Sequence, residues 1–316
     1  LQKANRRQER LSPVQEIPNS RQRRYKTTGW KLSNDRQQIC FTDGFKAGRF
    51  KLKGTRDLNF YSIEQIHRVR AVRRSDGYSV QFVLDVERFE RSEPTKRTVG
   101  IDVGLNYFLT DSDGNTVENP RHLRKRERRL KRLARRVSKK PKGSKNRRKA
   151  QQRLGKAHLK VQRQRRDFAV KTARCVVKSA DFVAYEDLQV RNMVKNRHLA
   201  KSISDAAWSE FRRWLEYFGR VFGRVTVAVA PHHTSQNCSA CGKTVKKSLS
   251  TRTHICTCGC ILDRDHNAAL SILAKGLETY RGALGNATLG ESLAATETGA
   301  IQSQQAISRN QESHCL

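Results

Sequence analysis

Five of the eight cysteines of this 316-residue chain fall between Cys238 and Cys260, and only Cys40, Cys175 and Cys315 lie elsewhere. Cys238-Ser239-Ala240-Cys241-Gly242 is a knuckle in which two thiolates reach one ion while the glycine lets the backbone turn tightly beneath it. After 14 intervening residues, Cys256-Thr257-Cys258-Gly259-Cys260 offers three thiols where two are needed. A disulfide framework would spread its cysteines, so the cluster reads as metal binding. Four sulfurs at this spacing suit one tetrahedral structural Zn2+ held by Cys238, Cys241, Cys256 and Cys258, with Cys260 the alternative fourth ligand. Such a closed shell has no position for water, so the ion folds a ribbon and does no chemistry. His232, His233 and His254 could substitute as ligands, but imidazoles in so basic a chain more often sit on loops near phosphate, and they are left out of the ligand set.

The second group of reactive residue types is acidic. Asp102 is embedded in the apolar strand Thr98-Val99-Gly100-Ile101-Asp102-Val103-Gly104-Leu105, where a carboxylate is costly unless a cation or hydrogen-bond donors compensate it. A lone such aspartate is usually a structural acceptor. Glu186, however, also ends an apolar strand, Asp181 to Glu186, and Asp265 opens a helix directly after the cysteine cluster. Three acids so placed can converge around divalent ions, which prefer oxygen ligands. Asp181, Asp187 and Asp263 read as bland acids, with Asp187 capping the segment after its strand and Asp263 capping the last helix.

The elements that position these groups are α/β. Tyr25 to Val86 shows short apolar runs with turn punctuation, and the period-two run Val80, Phe82, Leu84, Val86 pairs with Ile66 to Val72 across an Asp76-Gly77 turn, giving a small β-rich, barrel-like domain. Glu87 to Arg97, charged and containing Pro94, is the boundary to the next domain. Strands then alternate with helices, among them an amphipathic helix bearing Trp208, Phe211, Leu215, Phe218 and Phe222, before a strand at Val225 to Ala230. The first 24 residues read as a basic arm, and 280–316, rich in Gly, Ala, Thr, Ser and Gln, as a flexible tail.

Charge limits the partners. Sixty-five Lys and Arg against 29 Asp and Glu give a net charge of +36, with a mean hydropathy of −0.77 and 36% hydrophobic residues, enough for a core but set to attract a polyanion. Between Arg121 and Arg166 there are 23 basic residues and one acid, Glu127. Apolar stripes at Leu130, Leu133, Val137 and at Ala150, Leu154, Ala157, Val161 predict two long helices joined by Lys140-Pro141-Lys142-Gly143-Ser144. With almost no acidic partners at i,i+4 such helices repel themselves unless a polyanion neutralises them, so Arg124, Lys125, Arg128, Arg132, Arg135, Arg147 and Arg153 are candidate nucleic-acid contacts. No run approaches 18 apolar residues and Leu1 to Arg7 has no apolar signal core, so no membrane is expected.

The order G-I-D-x-G, Y-E-D-L, C-x-x-C-G and D-R-D-x-N-A-A resembles the TnpB (OrfB) proteins of insertion sequences, which are similar to the ancestors of type V CRISPR effectors. The match covers about 97–273. It implies an RNase H-like (RuvC) nuclease domain, with a basic helical hairpin at 121–170, a zinc ribbon at 231–262 inserted before a last segment at 263–279, and a wedge-like β domain at 25–93. It implies Asp102, Glu186 and Asp265 as catalytic acids holding two Mg2+ or Mn2+ ions, Asp102 bridging, with Arg264 at the scissile phosphate. It further implies a guide RNA and target DNA as partners, an RNA-guided DNA endonuclease activity and a prokaryotic, nucleoid-associated cytoplasmic location. A strand-transfer transposase and a non-catalytic nucleic-acid-binding regulator are the alternatives. Because the chain starts at Leu1 and its strands begin near Tyr25, the further expectation is an N-terminally truncated member that binds nucleic acid but cuts weakly.

Overall fold

The structure is a computed structural model and describes residues 22–25, 29–42, 48–54, 57–248 and 251–286. It divides into two compact units, Leu1–Glu87 with Arg136–Lys156, and Arg88–Arg135 with Ala157–Leu316.

The first unit is built from two three-stranded antiparallel sheets. One is β1 (Gln22–Tyr25), β5 (Ile66–Arg74) and β6 (Gly77–Leu84) in that order, and the other is β2 (Trp30–Leu32), β3 (Gln38–Phe41) and β4 (Gly48–Lys51). Alternating residues supply the core: Tyr25, Trp30, Ile39, Phe41, Ile66, Val69 and Ala71 are buried together. The strands of the β-rich domain thus form two sheets over a shared core. The strands also begin earlier than expected, since Arg24 of the supposed arm pairs with Arg70; residues 1–21 lie outside the described residues. The β5–β6 turn falls on Ser75-Asp76, one residue before the expected position, because Arg74 pairs with Gly77.

The basic segment forms α1 (His122–Ser138) and α2 (Lys145–Ser179). The resemblance assigns the hairpin wholly to the nuclease-like domain, but its turn and the start of α2 group with the first unit. The reason is a close approach: a Cβ on Gly155 of α2 would lie 2.2 Å from Ser75 Oγ in the β5–β6 turn.

The second unit is a five-stranded mixed sheet ordered β11 (Val225–Val229), β10 (Phe182–Glu186), β7 (Thr98–Asp102), β8 (Tyr107–Asp111), β9 (Thr116–Glu118). The strands β7, β10 and β11 are parallel, and β8 and β9 return antiparallel. Parallel neighbours need crossover connections, which here contain the helical hairpin and the helices α3 (Val190–Met193), α4 (Ala200–Ala206) and α5 (Trp208–Phe222). Val99, Ile101, Val183 and Tyr185 face a core completed by Ala169, Ala173 and Val177 of α2 and Phe211, Leu215 and Phe218 of α5. The opposite face, with Phe182, Ala184 and Val229, is covered by α6 (Arg264–Asn286) through Ile272 and Leu273.

The helix α6 corrects the tail expected from residue 280. Its apolar stripe continues through Leu277 to Tyr280, whose ring lies 5.5 Å from that of Phe182, so the helix persists to Asn286. Residues 287–316 lie outside the described residues. No helix among those described is long and apolar enough to cross a membrane.

Candidate functional site

Strand alternation decides where the acids point. In β7, Val99 and Ile101 enter the α2/α5 core, which turns Gly100 and Asp102 to the α6 face; in β10, Val183 and Tyr185 do the same and turn Ala184 and Glu186 toward α6. The two strands are parallel with Tyr185 opposite Ile101, so Asp102 and Glu186 are the next residues on neighbouring strands. Gly100 then lets α6 lie directly on β7. A Cβ there would sit 2.2 Å from the Ala269 carbonyl oxygen. Asp265 is one helical turn before Ala269 on the same helix face, which brings it to the end of β7; a Cβ on Gly104 would be 3.9 Å from its Oδ2.

The electrostatics follow from this convergence. Burial raises the Asp102 pKa well above the ordinary carboxylate range, and the charges of Glu186 and Asp265 raise it further, against the pull of Arg264. Glu186 is also raised by burial, opposed by a hydrogen bond from the Thr234 hydroxyl to Oε1 and by the charge of Lys275. Asp265, 8% exposed, accepts from Arg252 Nη1 at 3.3 Å and pairs with Arg264 Nη2 at 3.1 Å. Hard oxygen donors that repel one another when ionised fit divalent cations chemically. The three carboxylates are nevertheless more widely spread than the cysteines: among the described residues, groups of three or more ligand atoms all within 4.8 Å of one another occur only in cysteine-containing sets.

The larger such set is Cys238, Cys241, Cys256 and Cys258. Cys238 Sγ is 3.7 Å from Cys258 Sγ, and Cys241 Sγ is 3.6 Å from Cys256 Sγ. Zn–S bonds of about 2.3 Å in a tetrahedron separate sulfurs by about 3.8 Å, so these four could hold a metal ion as they stand. Burial opposes the Cys238 thiolate, but N–H groups of Cys241 and Ala240, with His254 and Cys258, outweigh it and bring its pKa to about 5. Cys260 falls into a second set with Cys238 and His254. His254 is not the loop residue expected. It lies in the ribbon strand β12 (Thr253–Ile255), fully buried, with Nδ1 against Lys247 Nζ.

The basic residues separate into two groups. Arg124, Lys125, Arg128, Arg132, Arg135 and Arg153 are exposed along the helices, as a polyanion-facing surface requires. Arg147 is not part of that surface, because its guanidinium donates to the carbonyls of Val137 at 3.3 Å and Lys140 at 2.7 Å and closes the hairpin turn. Arg264 is bound to Asp265. Asp187 is not the cap expected and pairs with Arg212 instead, the nearby α3 having no side-chain cap, whereas Asp263 Oδ1 accepts from Asp265 N at 2.8 Å and caps α6. Thr234, Arg252, Lys275 and His254 had no motif to mark them. Asn267 did, inside D-x-N-A-A, and is fully buried.

Two family models match the chain: OrfB_IS605, described as "Probable transposase", over residues 81–197, and the Cas12f1-like TNB domain over 208–272. A Streptomyces pristinaespiralis protein named "Putative RNA-guided DNA endonuclease" is 42% identical over 58% of this chain and 46% of its own length. "TnpB-like protein L770" of Acanthamoeba polyphaga mimivirus is 26% identical over 79% of this chain and 52% of its own. The chain spans about half the length of the curated relatives it matches. Among solved structures, a cryo-EM Cas12f1–sgRNA–target DNA complex aligns at 17% identity with a TM-score of 0.49, covering 79% of this chain and 58% of that one. Both family models fall on the segments that carry the acids and the cysteines, and over those segments the chain is similar to the TnpB (OrfB) proteins.

Proposed function

We propose that this chain acts as an RNA-guided DNA endonuclease of the TnpB type. In this reading the second unit is a RuvC-like nuclease domain of RNase H fold with an inserted zinc ribbon, and the first is a wedge-like domain. The observation that carries it is the convergence of Asp102, Glu186 and Asp265 at one end of the sheet, where the charges of Glu186 and Asp265 both act on the buried Asp102, in a protein whose positive charge otherwise suits nucleic acid. The naming of relatives as RNA-guided endonucleases supports the same activity.

Asp102, Glu186 and Asp265 would hold divalent ions such as Mg2+ or Mn2+, which would supply an activated water and stabilise charge on the attacking and leaving oxygens. The chain's own contribution is to hold three carboxylates apart at the ends of two strands and a helix, Asp102 between the other two. Arg264 and Arg252, both paired with Asp265, would turn toward a scissile phosphate. The exposed arginines of α1 would track the backbone of a guide RNA and its target DNA, whose sequence is read by base pairing. The cysteine set would hold one structural Zn2+, its four thiolates leaving no open position for water.

Guide-directed cleavage of a DNA target, with RNA recovered from the purified protein, tests this. Loss of cutting in each of Asp102→Ala, Glu186→Ala and Asp265→Ala, with nucleic-acid binding retained, is the expected result. Metal-independent cutting that survives Asp102→Ala would overturn it.

A further inference from the structure

The cysteine ribbon and the acidic centre are joined by side chains that neither ligand set uses. Thr234, 3% exposed, precedes Cys238 by four residues and gives its hydroxyl to Glu186 Oε1. The turn that carries it is closed by Gln236 N and Asn237 N, both donating to His233 O at 3.1 and 2.8 Å, with His233 held at a φ of 59°. A non-glycine residue in the left-handed region costs about 1 kcal/mol or more, so this turn is maintained by its surroundings. Those surroundings are α6. Asn267 Nδ2 donates to Asn237 O at 2.8 Å, and Asn267 Oδ1 accepts from Ser239 N at 3.0 Å inside the Cys238 knuckle. From the other side of the ribbon, Arg252 reaches Asp265 Oδ2 at 3.3 Å.

We propose that the ribbon is the clamp that sets the acidic centre, with Thr234 the positioning residue for Glu186. This rests on the reading of Asp102, Glu186 and Asp265 as a divalent-metal centre. A glutamate at a strand end has three side-chain torsions to fix. Lys275, the cation that acts on Glu186, donates from its ammonium to His232 O at 2.5 Å. The Thr234 hydroxyl is therefore the direct bond that orients the carboxylate, and Asn267 holds the loop bearing it against the helix bearing Asp265. A hydrogen-bonded partner behind a metal ligand typically contributes about 10- to 100-fold in metal affinity.

Mn2+ titration of the full chain, followed by the electron paramagnetic resonance signal of the free ion, separates the possibilities. The site is defined as the binding that Asp102→Asn removes. Thr234→Val, which deletes the hydroxyl at nearly constant volume, is expected to weaken that binding by about 10- to 100-fold. Thr234→Ser is expected to restore it, with the metal content of the cysteine set unchanged in both. If Thr234→Val does not fold, Thr234→Ala is read in the same way. Unchanged Mn2+ affinity in the hydroxyl-free variant, or no restoration by serine, overturns the inference. Absence in the wild-type chain of any binding that Asp102→Asn removes overturns the acidic-centre reading itself, and is seen before any Thr234 variant is made.

Discussion

Gly100 and Ala269 approach so closely that a methyl group on Gly100 would lie 2.2 Å from the Ala269 carbonyl oxygen. This approach seats α6 on β7 and delivers Asp265 to the strand that carries Asp102. Gly100→Ala should push helix and strand apart, since a backbone atom cannot swing away as a side chain can. The expected loss is about 3 kcal/mol or more in urea unfolding, at the severe end of overpacking effects. A loss below about 0.5 kcal/mol would show that α6 can shift freely.

Asp102→Asn removes the buried carboxylate on which the charges of Glu186 and Asp265 both act. In buffer without Mg2+ or Mn2+ and with the structural zinc retained, the variant should be more stable than the wild type by about 1 kcal/mol, the usual gain when a functional site is relieved of strain. Thermal unfolding with and without Mn2+ checks this, because added Mn2+ should stabilise only the wild type.

Elemental analysis should find one zinc per chain, absent from Cys238→Ser and Cys241→Ser, since a neutral hydroxyl does not replace a thiolate. Cys260, outside the four-sulfur set, should be dispensable: Cys260→Ser keeps the ion and Cys258→Ser does not. The reverse pattern would move the fourth ligand to Cys260.

Exposed arginines on α1 should act as charges only. Reversing Arg124, Arg128 and Arg132 to Glu should flatten the salt dependence of nucleic-acid binding by about one unit of slope for each phosphate no longer neutralised, with little change in sequence preference. Arg147→Ala is the contrasting case. It should leave the slope alone and destabilise the hairpin by about 1–2 kcal/mol, because the carbonyls of Val137 and Lys140 lose their donor. A strong change in preferred sequence on α1 reversal would show base reading.

What could be read from sequence was what is local. Asp102 and Glu186 announced themselves because each sits in or at the end of an apolar strand, and the cysteines because their spacing is a ligand spacing. Thr234 and Arg252 were silent, since nothing near them in the chain records that they fold back onto Glu186 and Asp265. His254 was misplaced for a related reason: a histidine in a basic chain reads as exposed until the ribbon closes over it. The last helix was cut short because Thr279, Gly282 and Gly285 resemble tail composition, while the stripe Ile272, Leu273, Leu277 and Tyr280 gains meaning only against β10. Arg147 looked like its basic neighbours, and only the turn geometry removes it from the binding surface.

The position of Asp265 at the start of the final described helix has a consequence for synthesis on the ribosome. The basic hairpin, complete at Ser179, leaves the exit tunnel well before residues 264–286. At about 5–20 residues per second the interval is several seconds. Throughout it a nascent chain carries its strongly basic helices and the two acids of β7 and β10 without the third. Occupancy by a polyanion can thus precede completion of the acidic set, and a message broken before the codon for Asp265 yields a basic chain without all three carboxylates.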